Sequence, residues 1–247
     1  MNPIAEQDPL GGPSASGFSC FVTGTDTGVG KTLIAAALVR ALAAAGARVS
    51  GMKPVAAGAQ WIDGAWRNED VEALAAAGNA GAPREDICPY LLRDPMAPHI
   101  AAERAGVCLD QRAILAAFGR LRARSGSVVV EGVGGFCVPL GADYGTADLA
   151  RTMGLPVVLV VGLRLGCLNH AALTAEAVRA RGLQLAAWVV NTIDPQMPEQ
   201  ERNVLALERI VAAPCLGRIP WLAPADPADV ARRLDLAVLG RSRLAPS

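Results

Sequence analysis

Residues 24–32, with the sequence GTDTGVGKT, constrain the fold of this chain more than any other segment. They continue from an apolar run at residues 18–25 that is typical of a strand, and they lead into an alanine-rich helical pattern at residues 31–45. A glycine-rich turn between a strand and a helix is the context of a P-loop, because backbone N–H groups at the helix N-terminus point at phosphate oxygens there. The segment therefore predicts a phosphate site at the start of the helix.

The spacing within this segment differs by one position from the usual P-loop pattern G-x-x-x-x-G-K-[ST]. Thr25 stands where the first glycine is expected, and Gly24 comes one residue earlier. In a P-loop, Lys31 would reach the β- and γ-phosphates, and the hydroxyl of Thr32 would bind Mg²⁺. The alternative is a glycine-rich turn that binds no ligand. The G-K-T run directly after an apolar strand favours the phosphate site.

The rest of the chain alternates short apolar runs with helical patterns. Further strands are predicted at residues 48–55, 127–131, 156–161, 185–191 and 216–219. Further helices are predicted at residues 68–77, 110–124, 169–181 and 227–239. Continuous Val and Leu runs suit strands that are covered on both faces, and repeated strand–helix units predict a mostly parallel sheet flanked by helices. We expect one α/β domain over residues 18–240, a disordered tail at residues 1–17 and a C-terminal tail at residues 241–247.

The strand predicted at residues 127–131 ends in Glu131, which gives it the form of a Walker-B element with a carboxylate for the metal. Glu131 would lie at the carboxyl edge of the sheet, where ligands of open α/β sheets bind. The alternative is a carboxylate that only ends a strand in solvent. The following GVGG run at residues 132–135 favours a ligand, because such a turn lets the backbone approach it closely. The residues alone predict a Mg²⁺-dependent nucleoside triphosphate site and leave any second substrate open.

The charge composition argues against nucleic-acid and membrane partners. The chain has 23 Lys+Arg and 23 Asp+Glu, whereas nucleic-acid coats and polybasic membrane binders need an excess of cations. No apolar stretch approaches the ~20 residues that a membrane span requires. Residues 1–17 contain no Lys or Arg and no apolar run of signal-peptide length, so we expect a cytoplasmic protein with its six cysteines reduced. Neither these cysteines nor His99 and His170 have the spacing of zinc ligands.

Only two of the basic residues are lysines, Lys31 and Lys53, and the other 21 are arginines. Codon bias accounts for the arginines but leaves the positions of the two lysines unexplained. One lysine lies in the predicted P-loop. The other lies at the end of the strand predicted at residues 48–55, where it would otherwise be an ordinary surface residue. The scarcity of lysine in this chain weakens that second interpretation.

Three further segments stand in order with the P-loop and the Walker-B run: MKPVA at residues 52–56, LGCLNHA at residues 165–171 and IPWL at residues 219–222. Together the five segments resemble the dethiobiotin synthetase family over about residues 18–240. The resemblance implies a P-loop fold whose sheet has about seven strands. It also implies a homodimer with sites at the subunit interface.

The implied reaction is carbon–nitrogen bond formation by a ring-closing ligase. It joins 7,8-diaminononanoate with CO₂ (or bicarbonate) at the expense of ATP, and it requires Mg²⁺. A carbamate attacks the γ-phosphate to give a carbamic–phosphoric anhydride, and the second amine then closes the ureido ring of dethiobiotin. ADP and phosphate are released.

The resemblance also implies roles for particular residues. The catalytic residues would be Thr27, Lys31 and Lys53, of which Lys53 holds the carbamate against the γ-phosphate. The Mg²⁺ ligands would be Thr32, Asp70 and Glu131. Asp70 can also be interpreted as an acid in the first turn of a helix, where the dipole favours it. The nucleotide contacts would be Gly28, Val29, Gly30, Lys31, Thr32, Leu33, Asp70, Glu131, Gly132, Val133, Gly134, Asn191, Thr192, Pro220, Trp221 and Leu222.

The diamine would be bound by Lys53 and Ala57, and its carboxylate by a loop of the neighbouring subunit. That loop would comprise Gly166, Cys167, Leu168 and Asn169, whose N–H groups open a predicted helix and suit an anion. Asn169 is also a natural N-cap, and both roles are compatible. His99 and His170 receive no catalytic role.

Three positions depart from the family pattern. Ala57 stands where Ser or Thr is frequent, Gly28 replaces a larger and often acidic residue, and Arg164 replaces a common lysine. Arginine is not a neutral substitute for a compact ammonium group, so these departures bear on substrate affinity. Asp226 is a candidate for an acidic contact to the adenosine.

Two other activities are compatible with a P-loop. A nucleotide-switch ATPase of chromosome partition or septum positioning carries a signature lysine early in the loop, where this chain has Thr25. An amide-forming ligase that acts on a cofactor precursor usually continues into a glutaminase domain, for which this chain has no room. Dependence of ATP turnover on the diamine separates these alternatives from the ring-closing ligase.

Overall fold

The computed structural model describes residues 17–241, so the two predicted tails lie almost entirely outside the described residues. The strands in chain order are β1 (Cys20–Gly24), β2 (Val49–Met52), β3 (Val55–Ala57), β4 (Gln60–Ile62), β5 (Ala65–Arg67), β6 (Tyr90–Leu92), β7 (Ser127–Glu131), β8 (Val157–Leu163), β9 (Leu185–Thr192) and β10 (Cys215–Ile219). The helices are α1 (Lys31–Ala44), α2 (Glu69–Ala77), α3 (Arg84–Ile87), α4 (Pro98–Arg104), α5 (Gln111–Ser125), α6 (Thr146–Met153), α7 (Cys167–Ala180), α8 (Gln200–Val211), α9 (Pro227–Ala231) and α10 (Ala237–Arg241).

The main sheet has the strand order β10-β9-β8-β1-β7-β2, and every neighbouring pair in it is parallel. Within residues 17–241 this sheet has six strands, compared with the expected number of about seven. The chain leaves this sheet after β2 at Lys53 and Pro54. Strand β3 then pairs in parallel with β6, and β4 and β5 form a separate antiparallel hairpin.

The core lies on both faces of the main sheet, because neighbouring side chains of a strand point to opposite faces. On β1, Phe21 belongs to one hydrophobic cluster, and Val22 belongs to the other. The cluster around Val22 contains much of α1, while the cluster around Phe21 contains Trp188 and residues of α5 and α7. Burial on both faces explains the continuous apolar strands and confirms the prediction of a parallel sheet flanked by helices.

The predicted elements correspond to observed ones with shifts at their ends, apart from the strand at residues 48–55 and the last helix. The chain leaves the main sheet at Lys53 and Pro54, so the predicted strand is divided between β2 and the first residue of β3. The pattern at residues 227–239 is divided between α9 and α10, and the N–H of Asp235 in the gap donates to the carbonyl of Leu216 at 2.8 Å. The helices α3, α4, α6 and α8 and the strands β4, β5 and β6 were not predicted. None of these four helices has an N-cap side chain that accepts a hydrogen bond from the first turn, the feature that marks a helix start in sequence.

All six cysteines lie within the described residues, and none of them forms a disulfide. Among residues 17–241, no helix combines the length and the apolar character needed to cross a bilayer.

The parallel order brings the carboxyl ends of six strands to one edge of the sheet. The loops that leave β1, β7 and β8 there carry residues 25–30, 132–135 and 164–166. Lys53 follows β2 at the same edge. Because β7 lies between β1 and β2, Glu131 at its end is held between the P-loop and Lys53.

Candidate active site

The loop from β1 to α1 contains two glycines with left-handed backbone conformations, Gly28 (φ 74°) and Gly30 (φ 88°). Gly30 also lacks room for a side chain, because an added Cβ would lie 2.2 Å from Nδ2 of Asn191. That amide donates to the carbonyl of Val29 at 3.0 Å. The side chain of Asn191, at the end of β9, thus holds the loop in place through this hydrogen bond to Val29.

A cluster of charges, in which Lys53 and Glu131 are buried and Asp70 is partly exposed, joins this loop to two other parts of the chain. Nζ of Lys53 lies 2.5 Å from Oε1 of Glu131 and 2.8 Å from Oδ2 of Asp70. Oγ1 of Thr32 lies 2.6 Å from Oδ1 of Asp70 and 2.8 Å from Oε1 of Glu131. Its single hydroxyl proton can serve one carboxylate at a time. The structure therefore brings together all three residues that the sequence suggested as metal ligands, with one of the two lysines between them.

The position of Asp70 is set by the cap of α2. The side chain of Asn68 accepts hydrogen bonds from the N–H groups of Asp70 and Val71, and its own Nδ2 donates to the carbonyl of Ala57 at 3.2 Å. This cap starts the helix beside β3 and directs Asp70, in the first turn, toward Lys53. Asp70 is therefore both a first-turn acid and a member of the cluster.

Burial and charge act in opposite directions on the pKa values within this cluster. Burial lowers the pKa of Lys53, but the carboxylates of Glu131 and Asp70 outweigh burial and hold that pKa above its usual value. Burial raises the pKa of Glu131, against the opposing effect of Lys53. For Asp70, burial raises the pKa and the Lys53 cation lowers it, with a net decrease. Lys53 thus stays charged, and its ammonium is held by these two acids.

Lys31 has a different environment. It is buried, and its Nζ donates to the neutral carbonyl of Asp26 at 2.8 Å. Burial lowers the pKa of Lys31 to about 8, although Glu131 opposes this change. A lysine with no carboxylate as a hydrogen-bond partner can transfer its hydrogen bonds to an incoming anion at little electrostatic cost.

These groups line a cavity of about 870 Å³ at the sheet edge. Its polar lining includes Thr27, Lys31, Thr32, Lys53 and Asp70, and the predicted contacts Gly28, Gly30, Ala57, Val133 and Gly134 also line it. An apolar part of the wall was not predicted from the sequence: Pro95, Met96, Ala97, Pro98 and Val138. The only sequence signal for this wall was the Pro98-His99 pair, which by itself indicates a helix start.

Other predicted site residues lie outside this cavity. Glu131 and Gly132 are buried behind it, and Val29, Leu33, Asn191 and Thr192 lie under or beside the P-loop. Gly166, Cys167, Leu168 and Asn169 begin α7 at the end of β8, where the adjacent Leu165 is 92% exposed. Pro220, Trp221 and Leu222 follow β10, next to the end of β9. Asp226 caps α9 by accepting from the N–H of Ala228.

The oxygens around Thr32 fit a small, hard divalent cation. Two carboxylates and a hydroxyl form an all-oxygen donor set of the kind Mg²⁺ prefers. Oε2 of Glu131 is buried and has no hydrogen-bond partner, so one carboxylate oxygen of this set is an unused acceptor. Within residues 17–241 there is no group of three or more His, Cys, Asp or Glu side chains suited to a metal.

The fold and the loop define the class of protein. A family model described as an AAA domain matches residues 19–229. The solved cell division ATPase MinD of Pyrococcus furiosus aligns with a TM-score of 0.55 over 93% of this chain and 100% of its own, at 19% identity. At that identity the likeness shows the fold alone, and the fold is that of the P-loop nucleoside triphosphatases.

Two curated relatives define the family more narrowly. A protein of Aromatoleum aromaticum is 55% identical over 216 residues, which is 87% of this chain and 96% of the relative. A protein of Ralstonia nicotianae is 54% identical over 222 residues, which is 90% of this chain and 97% of the relative. Both are named ATP-dependent dethiobiotin synthetase BioD. The chain belongs to the dethiobiotin synthetase family.

The two P-loop glycines form a matched pair for a stability measurement. Gly28→Ala places a Cβ in open space and is expected to cost only the left-handed backbone strain of about 1–2 kcal/mol. Gly30→Ala must also displace the Asn191 amide from Val29, so it is expected to cost at least ~1 kcal/mol more. Urea unfolding measures both values. Equal losses for the two variants would contradict the role given to Asn191.

Proposed function

We propose that this chain is an ATP- and Mg²⁺-dependent ligase that closes the ureido ring of dethiobiotin from 7,8-diaminononanoate and CO₂ (or bicarbonate), with release of ADP and phosphate. The observation that carries the proposal is the convergence of Lys31, Thr32, Lys53, Asp70 and Glu131 at one end of the sheet. The names of relatives that share more than half of their residues with this chain support the same activity.

Thr32, Asp70 and Glu131 would hold the Mg²⁺ ion, as their mutual distances allow. When bound, the ion neutralises charge on the transferring phosphoryl group. The N–H groups of the first turn of α1 have no intrahelical partners, and they would bind the phosphate oxygens together with Lys31.

Lys53 would orient the second anion of the reaction. A carbamate and a triphosphate repel each other, so a cation between them lowers the energy of their encounter. Lys53 lines the cavity beside Asp70, and its ammonium can reach a carbamate bound there. Thr27, in the same lining, would contact the carbamylated amine. The apolar wall around Met96 and Val138 suits the hydrocarbon chain of the diamine.

The carboxylate end of the diamine would be bound by a second subunit. Gly166 and Asn169 are exposed at the start of α7 and do not line the cavity of their own chain. Their N–H groups suit a carboxylate, and the exposed Leu165 beside them offers an apolar contact. We therefore propose a cytoplasmic homodimer in which each site is completed by the partner.

Diamine dependence tests the function. With Mg²⁺-ATP and bicarbonate, the purified protein is expected to release ADP only when 7,8-diaminononanoate is added, with one dethiobiotin formed per ADP. Lys53→Arg is expected to lose most turnover and keep nucleotide binding, because the fork-shaped guanidinium does not reproduce a compact charge. Arg124→Lys, an equally small exchange at the end of α5, serves as the control. ADP release that is independent of the diamine and stimulated by DNA or lipid would refute the proposal in favour of a switch ATPase.

Subunit complementation tests the shared site. Asn169→Asp places a carboxylate where the substrate carboxylate would bind, so it is expected to raise KM for the diamine strongly. A mixture of inactive Lys53→Arg and Asn169→Asp subunits would contain heterodimers with one intact site. After subunit exchange, activity is expected to recover to about a quarter of the wild-type value, as two-fold symmetry requires. If the mixture is as inactive as its components, Lys53 and Asn169 do not come from different subunits to form one site.

A further inference from the structure

Asp26 makes two polar contacts inside the P-loop and a third with another loop. Its Oδ1 accepts a hydrogen bond from the N–H of Thr27 at 2.7 Å, and its carbonyl accepts one from Nζ of Lys31 at 2.8 Å. Its Oδ2 forms an ion pair with a guanidinium nitrogen of Arg164. One residue thus contacts both Thr27 and Lys31, and it is joined to a cation from another loop.

Arg164 reaches Asp26 because their strands are neighbours. Arg164 directly follows β8, which pairs with β1 in parallel. The N–H of Thr25 continues this pairing one step into the loop by donating to the carbonyl of Val160 at 3.0 Å. Beyond that bond the two loops separate, and the Asp26–Arg164 ion pair bridges them.

The charges that line the cavity show why the bridge bears on anion binding. The cavity-lining carboxylates within residues 17–241 are Asp26 and Asp70. Asp70 has Lys53 as its partner, and Asp26 has Arg164. Lys31 is then left with a neutral carbonyl as its hydrogen-bond acceptor. Without Arg164, the carboxylate of Asp26 would face a bound triphosphate with only Lys31 as a nearby cation, and the phosphates would compete for that lysine.

We infer that Asp26 and Arg164 are positioning residues of the phosphate site: Asp26 orients Thr27 and Lys31, and Arg164 neutralises Asp26 so that it does not repel the nucleotide. The inference rests on the proposed nucleotide site. It also gives a role to Arg164, which the resemblance marked only as a departure. Because the two side chains are 41% and 43% exposed, the pair contributes little to folding stability. Its effect falls on anion binding.

A mutant cycle with Mg²⁺-ADP as the probe separates this role from direct phosphate binding. Arg164→Ala is expected to weaken ADP binding about tenfold in calorimetry at low salt, since a like charge remains near the phosphates. Asp26→Asn keeps the acceptor for Thr27 and loses the charge, so it is expected to bind within about twofold of wild type. In the double variant Asp26→Asn/Arg164→Ala, affinity is expected to return to that of Asp26→Asn.

Three results would overturn the inference. The first is an ADP affinity of Arg164→Ala equal to that of wild type. The second is a tenfold loss of ADP affinity when Arg164→Ala is added to Asp26→Asn. The third is a loss of ADP affinity in Arg164→Ala that does not become smaller as the salt concentration rises. The second result would mean that Arg164 binds the phosphates itself. Arg218→Ala is the matched control, because Arg218 is a similarly exposed arginine with acidic partners, Glu201 and Glu208, and does not line the cavity. It is expected to bind ADP normally.

A second substitution isolates the orienting part of the inference. Asp26→Ala removes the acceptor for the Thr27 N–H as well as the charge, so it is expected to lower kcat below that of Asp26→Asn. Equal kcat values for the two variants would remove the orienting role. All of the binding outcomes are measured with ADP alone, so they stand even if the diamine is not the second substrate. Wild-type protein that binds no Mg²⁺-ADP would instead refute the nucleotide site on which both proposals rest.

Discussion

The contact between Lys53 and Glu131 is the interaction on which the site depends. Both side chains are almost completely buried, and Nζ lies 2.5 Å from Oε1. Neither charge would be stable alone in such a position, because the desolvation penalty of an unpaired buried ion is several kcal/mol. The pair therefore locks the end of β2 to the end of β7. Thr32 and Asp70 extend the same contact to the first turns of α1 and α2.

The two lysines of a chain that otherwise uses arginine both line the cavity of this site. Both ammonium groups lie at one edge of the sheet, but their partners differ. Lys53 is held by two carboxylates, and Lys31 is held by a carbonyl. One lysine thus has a fixed place within the acidic cluster, and the other is free to exchange its acceptor for phosphate. A planar guanidinium would fit neither environment well, since each is built around a compact cation.

Local sequence patterns were sufficient to predict the elements around the P-loop and the strand β7. Residues 24–32 predicted the strand, loop and helix around the phosphate site, and the apolar run ending at Glu131 predicted β7 with its correct bounds. The family resemblance placed Asp70 with Thr32 and Glu131, but its ion pair with Lys53 was not predicted, because that pair depends on how Asn68 caps α2 beside Ala57. The Asp26–Arg164 pair joins positions 138 residues apart and has no local signal. The wall at residues 95–98 had only the local signal of Pro98, which indicates the start of α4 and not a cavity wall.

Measurement of the unfolding free energy in metal-free buffer tests the central claim most directly, through Lys53→Met, Glu131→Gln and their combination. Lys53→Met is expected to lose about 3–5 kcal/mol, because it leaves a buried carboxylate unpaired. The double variant is expected to regain most of that loss, since it removes both charges. Lys31→Met, whose ammonium contacts a neutral carbonyl, is expected to change stability much less. A small loss for Lys53→Met, or losses that simply add in the double variant, would contradict the account.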